Sequence, residues 1–282
     1  MAKKPNNLVL VTPFVMLFVG FIAMGISTVS HSIDHLAAAM TRVEHPKSPD
    51  FSAYDHLLKD CVKNVEGRNL VDYNKVKSSP YLGQALAMVA RTATDKFENG
   101  TDKIAFYINT YNLLAIKCIA DRFPVSTGKQ TSADMHKRLF VVGGKSLSVD
   151  TVMRQEITPL LTDDLPREYN PDFAVFLLTR GTMGEPDITS HAITRDTITE
   201  DGEANMRRFI ASKRNVYIGP KGEEFLISPW FQWQGVIFGA RHRDLHSYVY
   251  SLLDEKDQRE NSVFCMRQYH ARFDWRINDI HA

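Results

Sequence analysis

Residues 105–125 read AFYINTYNLLAIKCIADRFPV, and the fold turns on how this stretch is taken. Apolar residues at Ala105, Ile108, Ala115, Ile116, Ile119 and Ala120 recur near the helical period, so the spacing predicts one amphipathic helix. Asn99-Gly100 supplies a turn ahead of it, Thr101 or Asp102 is placed to cap its first turn, and Pro124 stops it. Asn109 and Asn112 fall in the middle, beside Tyr107 and Tyr111. Asparagine is a poor helix-interior residue, and a buried amide is costly without hydrogen bonds. Either the two amides pin neighbouring backbone or they line a polar site.

Around this stretch the composition is that of an ordinary globular chain: 282 residues, 44% hydrophobic and 24% charged, with a net charge of +1. The balanced charge gives no field to recruit nucleic acid. Three cysteines, Cys61, Cys118 and Cys265, lie far apart without a C-x-x-C pair, which excludes a zinc ribbon or a thioredoxin-type redox motif.

Leu8 to Val29 carries no charge and follows Lys3 and Lys4. A helix of that length covers a hydrocarbon core of roughly 30 Å, and the lysine pair favours a cytoplasmic N-terminus. The expected organisation is residues 1–30 as a membrane anchor or uncleaved signal, 31–50 as a juxtamembrane linker, and 51–282 as a domain outside the cytoplasm, the periplasm in a Gram-negative cell. A cleaved signal peptide is the rival reading, and length favours the anchor.

Along the domain, Tyr54, Leu57, Leu58, Cys61, Val62 and Val65 keep helical spacing, which predicts a helix up to Gly67. Leu70 to Tyr73 reads as extended. Ser79-Pro80 opens a helix running to about Arg91. Gly143-Gly144 reads as the turn of a short hairpin, after which Ser148 caps a helix to about Leu161. Asp172 to Leu178, DFAVFLL, is a compact apolar run that reads as a fully buried strand. It leads into the turn-rich loop Thr179–Pro186, where sites collect in α/β sheets. Glu200–Ala211 reads as a helix, Asn215–Ile218 with Glu224–Ile227 as a hairpin, and Leu245–Leu253 as a helix.

Four of these stretches, in order, carry a family resemblance. Ala105–Lys117, AFYINTYNLLAIK, resembles the AFWINAYNALTIK signature of the bacterial and plant family known as domain of unknown function 547. Leu70–Tyr73, Val142–Ser148 and Arg272–Asn278 resemble its V-D-Y, VGG-x-x-LS and YDWSLN landmarks. The resemblance implies a candidate thiol hydrolase or transferase, because the family writes a cysteine–proline motif after the buried segment and Glu-His after the hairpin. Here Thr179 and Gly184 stand at the cysteine positions, and Met153-Arg154 at the Glu-His positions. Glycine has no nucleophile, and an arginine is not a base at neutral pH.

The other candidates are weaker. Cys118 lies near the C-terminal end of its helix, where the dipole disfavours a thiolate, and Cys61 lies on an apolar face. Thr179 has a hydroxyl but no neighbouring base in sequence. His242 and His246 are four apart, a spacing that puts two imidazoles on one helix face and makes them candidate metal ligands. Trp230, Phe231 and Trp233 are either core or a ligand platform. Arg207-Arg208 and Lys213-Arg214 read as a solvated face.

The expected fold is α+β, a helix-rich domain packed on a small mixed β-sheet containing Asp172–Leu178 and preceded by one transmembrane helix. The expected role is binding of a ligand or protein partner after loss of the family's cysteine–histidine set. The alternative is a hydrolase or transferase with a rearranged or metal-assisted site; a purely structural envelope protein is a third reading. Candidate ligand-binding residues are Asn109, Asn112, Thr179, Arg180 and Asp274, with Thr179 and Asp274 the catalytic candidates. No cofactor and no nucleic-acid partner is expected; the membrane is contacted through residues 8–29. Within this set Asn109 and Asn112 read as structural pins.

Overall fold

A computed structural model describes residues 40–163, 168–254, 258 and 267–281 of the chain. The apolar run Leu8–Val29 and Cys265 lie outside the described residues. Among the described residues no helix is long and apolar enough to cross a membrane.

The central helix spans Gly100–Arg122. Its cap is Asn99, one residue ahead of the Asn99-Gly100 turn's expected end: the Asn99 side-chain oxygen accepts from Thr101 N–H at 2.6 Å, so neither Thr101 nor Asp102 is the cap. From Ile104 to Ala120 every residue but Lys117 is buried. The helix is therefore not amphipathic; a helix buried on all sides runs through a core rather than over it. It packs against Tyr73–Ser78, Pro80–Arg91, Ser132–Lys137 and the segment 152–157.

The fold is α+β, and the strands of the described residues form three small sheets. The first corrects the long helix expected up to Gly67. Ser52–Cys61 is helical, but Val62–Val65 is strand β1, paired antiparallel with β2, Arg68–Val71. Glu66 and Gly67 turn the chain at φ 51° and 82°, the left-handed pair that a two-residue hairpin demands. Val62 and Val65 fit a helical period by spacing alone, and the turn overrides it. Ser79 and Pro80 open the helix Pro80–Arg91 as read. The second hairpin pairs β3, Phe140–Val142, with β4, Lys145–Leu147, across Gly143-Gly144. Ser148 then caps Val149–Thr151, accepting from Thr151 N–H at 3.1 Å. The chain continues through a π-helical stretch, Val152–Ile157, into Thr158–Thr162.

The expected strand Asp172–Leu178 is not a strand. Asn170 caps a helical turn by accepting from Asp172 N–H at 2.9 Å, and Pro171 sits at its first position. Pro171–Ala174 is α-helical and Val175–Leu177 is 3-10. An apolar run without alternation carries no period of its own, and the cap with proline decides it. Phe176 enters an aromatic core with Phe209, Trp230, Phe231 and Phe238, at centroid distances of 5.0–6.0 Å. Trp230 and Phe231 are thus core residues.

The mixed sheet lies elsewhere. Strand β5, Val216–Ile218, pairs antiparallel with β6, Glu224–Ile227, which pairs parallel with β7, Arg267–His270. Beyond β7 the chain end is laid between three elements. Gly128 N–H donates to Trp275 C=O at 2.8 Å, Gly184 N–H to Asp274 C=O at 2.9 Å, and Val71 N–H to Asn278 C=O at 2.8 Å. This strap brings Trp275 beside the loop Thr179–Pro186.

Candidate functional site

Where the strap crosses that loop, a cleft of about 400 Å³ opens. Tyr111 of the central helix, and Arg180, Thr182 and Glu185 of the loop, form its floor. Ser132, Met135 and His136 come from the helix Ser132–Lys137; Asp150, Met153 and Arg154 come from the segment after β4; Trp233, Gln234 and Trp275 form the far wall.

The floor is built on buried polar pairs. Asn112 gives its amide N–H to Leu177 C=O at 2.8 Å and accepts Thr179 N–H at 3.0 Å. Asn109 does the same at Ile193, donating to its C=O at 2.7 Å and accepting its N–H at 3.0 Å. Each side chain replaces a strand partner for main chain that has none, which is why two asparagines are tolerated in a buried helix. Thr179 is buried and its hydroxyl accepts Gly181 N–H at 3.1 Å. Gly181 holds φ 78°, and a Cβ there would lie 2.7 Å from the Tyr73 hydroxyl, so the turn requires glycine.

Arg180 enters the cleft. Its Nε donates to the Tyr111 hydroxyl at 2.9 Å and its guanidinium to Asp150 Oδ1 at 2.5 Å. The other Asp150 oxygen pairs with His136 Nδ1, so one carboxylate holds an arginine and an imidazole from two different elements. Glu185 lies behind, 7% exposed. Its Oε2 accepts Arg180 N–H at 2.8 Å and the Thr182 hydroxyl at 3.0 Å. Burial holds the Glu185 carboxyl above the usual glutamate range, against the opposing pull of Arg180 and of these hydrogen bonds.

The wall is aromatic. Trp233 is 48% exposed and stands 4.6 Å from Phe273 and 5.5 Å from Trp275, centroid to centroid. Lys129 Nζ lies 5.4 Å over the Trp275 ring.

Of the five residues expected to bind ligand, only Arg180 lines the cleft. Asn109, Asn112 and Thr179 lie beneath it, bonded to main chain. Asp274 turns away. Its carboxylate accepts Arg276 Nε at 3.0 Å, and the Arg276 hydrogen bond holds that carboxyl below its usual range. Met153 and Arg154 stand in the π-helical stretch, with Arg154 exposed at the cleft. At Gly184 a Cβ would fall 2.7 Å from the Phe273 ring and 2.9 Å from the Asp274 main chain. The strap occupies the room a cysteine side chain would need.

The two thiols among the described residues, Cys61 and Cys118, are buried. Burial pushes Cys61 up to about 11 and Cys118 up to about 12. His242 and His246 do not share a helix face, which corrects the spacing argument. The helix Leu245–Ser251 starts after an extended Asp244, whose side chain accepts Ser247 N–H at 2.8 Å. His242 precedes it, bonded to Asp172 at 2.6 Å and stacked on Tyr248, while His246 packs toward Phe225 and His270. Among the described residues no three His, Cys, Asp or Glu side chains are grouped to hold a metal ion.

Sequence reasoning did not single out His136, Asp150, Glu185 or Trp275. The available signal was the tight Gly143-Gly144 hairpin, which folds the flanking residues 132–137 and 149–154 toward one another.

The family model described as "Protein of unknown function, DUF547" matches residues 96–210. The match holds the central helix, the π-helical stretch and the loop Thr179–Pro186; Trp233 and Trp275 lie outside it. No curated protein and no solved structure matches the chain.

Proposed function

We propose that this chain, whose residues 96–210 match the model of the DUF547 proteins of unknown function, is a ligand-binding member of that family whose cleft has replaced the cysteine–histidine set. The observation that carries this reading is the filled space at Gly184. A Cβ there meets the strap at 2.7–2.9 Å, while beside it an aromatic wall and a charged floor frame about 400 Å³. Pockets of that size with a few convergent polar groups are the usual form of small-molecule sites. In this proposal residues 8–29 tether the chain to a membrane and the domain lies outside the cytoplasm. The lysines before an uncharged run of helix-spanning length support that orientation.

The test is native mass spectrometry of the full chain drawn from its own membranes. A small molecule should travel with the wild type and be absent from Trp275→Ala. A bare wild-type mass under gentle extraction would remove the binding reading. Protease protection of the domain in sealed spheroplasts would refute the orientation.

The alternative, a hydrolase or transferase with a rearranged site, draws on one observation. Asp150 pairs with His136 Nδ1 and the half-exposed imidazole lines the cleft, the arrangement by which a carboxylate orients an imidazole for proton transfer. Turnover of chromogenic esters that disappears in His136→Asn would select this reading. Equal background in both proteins would discard it.

A further inference from the structure

The polar groups of the cleft are unevenly partnered, and the imbalance carries chemical information. Both acids are engaged. Asp150 has one oxygen on Arg180 and the other on His136, and Glu185 holds Arg180 N–H and Thr182. The cations at the rim are not. Arg154 is exposed and has no acid partner among the described residues, and the Lys129 ammonium rests on the face of Trp275. A ligand entering here meets unmatched positive charge, and a guanidinium fork fits a carboxylate with two parallel hydrogen bonds.

Two further features limit the ligand. Trp233 and Trp275 present a tilted pair of rings, 38° apart, at the cleft wall. The negative face of an indole attracts the slightly positive C–H edge of a saturated ring. Next to Trp233, the Gln234 side-chain oxygen is buried without a hydrogen-bond partner. A buried acceptor left open is costly, and a hydroxyl donor from a ligand satisfies it.

We propose that the cleft takes an acidic saccharide, its pyranose ring on Trp233 and Trp275, its carboxylate on Arg154 and a hydroxyl on Gln234. The proposal rests on the ligand-binding reading and gives it a chemical class. A carboxylate suits the site better than a phosphate, since the unmatched cations stand singly at the rim and no glycine-rich loop cradles them.

Calorimetric titration and tryptophan fluorescence of the full chain in detergent test this with trigalacturonate, a glucuronate-containing disaccharide and N-acetylmuramic acid. Maltotriose and benzoate serve as the neutral-sugar and non-sugar acid arms. At least one acidic saccharide should saturate the signal, about tenfold more tightly than maltotriose or benzoate, and should weaken with added salt. Arg154→Ala should cost about tenfold with its melting temperature unchanged, and Trp275→Ala should abolish the titration. Equal binding of maltotriose would overturn the carboxylate assignment while leaving ligand binding intact. Silence from all three acidic saccharides would overturn the saccharide class. If the wild type then still carries a different small molecule from its membranes, only this inference falls; if it carries none, the binding reading falls with it.

Discussion

Two sets of side chains that interleave on the central helix, Asn109 and Asn112 on one hand and Tyr111 on the other, handle polar groups in opposite ways. At Asn109 and Asn112 each amide meets main chain at both ends, and 84 and 65–67 residues of sequence are closed by bonds of 2.7–3.0 Å. Around Tyr111 the hydroxyl meets Arg180, and Arg180 meets Asp150, but the chain of pairs ends at a half-exposed His136, and the nearby Arg154 has no acid partner among the described residues. The first region is complete without a ligand. The second holds charge and aromatic surface that nothing among the described residues completes. Fully satisfied buried networks specify a fold, whereas open polar groups in a cleft mark where a fold meets something else.

That contrast predicts a graded set of effects. The largest is Asn112→Ala. It orphans Leu177 C=O and Thr179 N–H together, and should cost about 3 kcal/mol in denaturant unfolding. An unchanged midpoint would mean that water replaces the amide and that the region is not closed. Next comes Gly184→Cys, which restores the residue the family resemblance implies. Its Cβ meets the Asp274 main chain at 2.9 Å, so the strap must shift, and the variant should lose about 1–3 kcal/mol. Wild-type stability together with rapid labelling by iodoacetamide would show that the thiol position is still open.

A smaller effect tests the floor of the cleft. Burial raises the Glu185 carboxyl above its ordinary value of 4.5. The folded chain then binds the proton at higher pH than the unfolded chain. The stability linked to protonated Glu185 is present below about pH 4.5 and is lost as pH rises through the raised value. Glu185→Gln removes that loss. Its melting temperature relative to wild type should therefore climb as pH increases above about 4.5, and a flat difference would contradict the burial argument. The smallest effect belongs to Arg154→Ala. An exposed residue with no ion-pair partner among the described residues should change unfolding free energy by no more than about 0.5 kcal/mol. A larger loss would make Arg154 part of the scaffold.

Much of the fold was legible where the signal is local. Ser79-Pro80, Gly143-Gly144 and Ser148 specify their elements through caps and turn geometry that need no distant partner. The misreadings share a cause. Apolar pattern alone predicts a helix through Val62–Val65 and a strand at Asp172–Leu178, yet the left-handed Glu66-Gly67 turn and the Asn170-Pro171 start decide them. Asn99 reads in sequence as a turn residue, whereas its side chain does the capping.

The site was legible only in part. The loop Thr179–Pro186 and Arg180 were found because turn formers follow a buried run. His136 and Asp150 come from separate elements, and Trp275 arrives through a strap that has no period, so no window of sequence places them together. The Trp230–Trp233 segment splits for the same reason: one tryptophan is 1% exposed and the other 48%, which helical spacing alone does not distinguish.

The central claim is that the cleft beside Trp275 binds a ligand. Its most direct test is the thermal unfolding of full-length wild type and Trp275→Ala, each mixed with a small-molecule extract of the source cells. A ligand present at about 100 times its dissociation constant adds about 2.7 kcal/mol to the folded state. The account predicts that the extract raises the melting temperature of the wild type and leaves Trp275→Ala where it was. An equal rise in both proteins, or none in either, would contradict it.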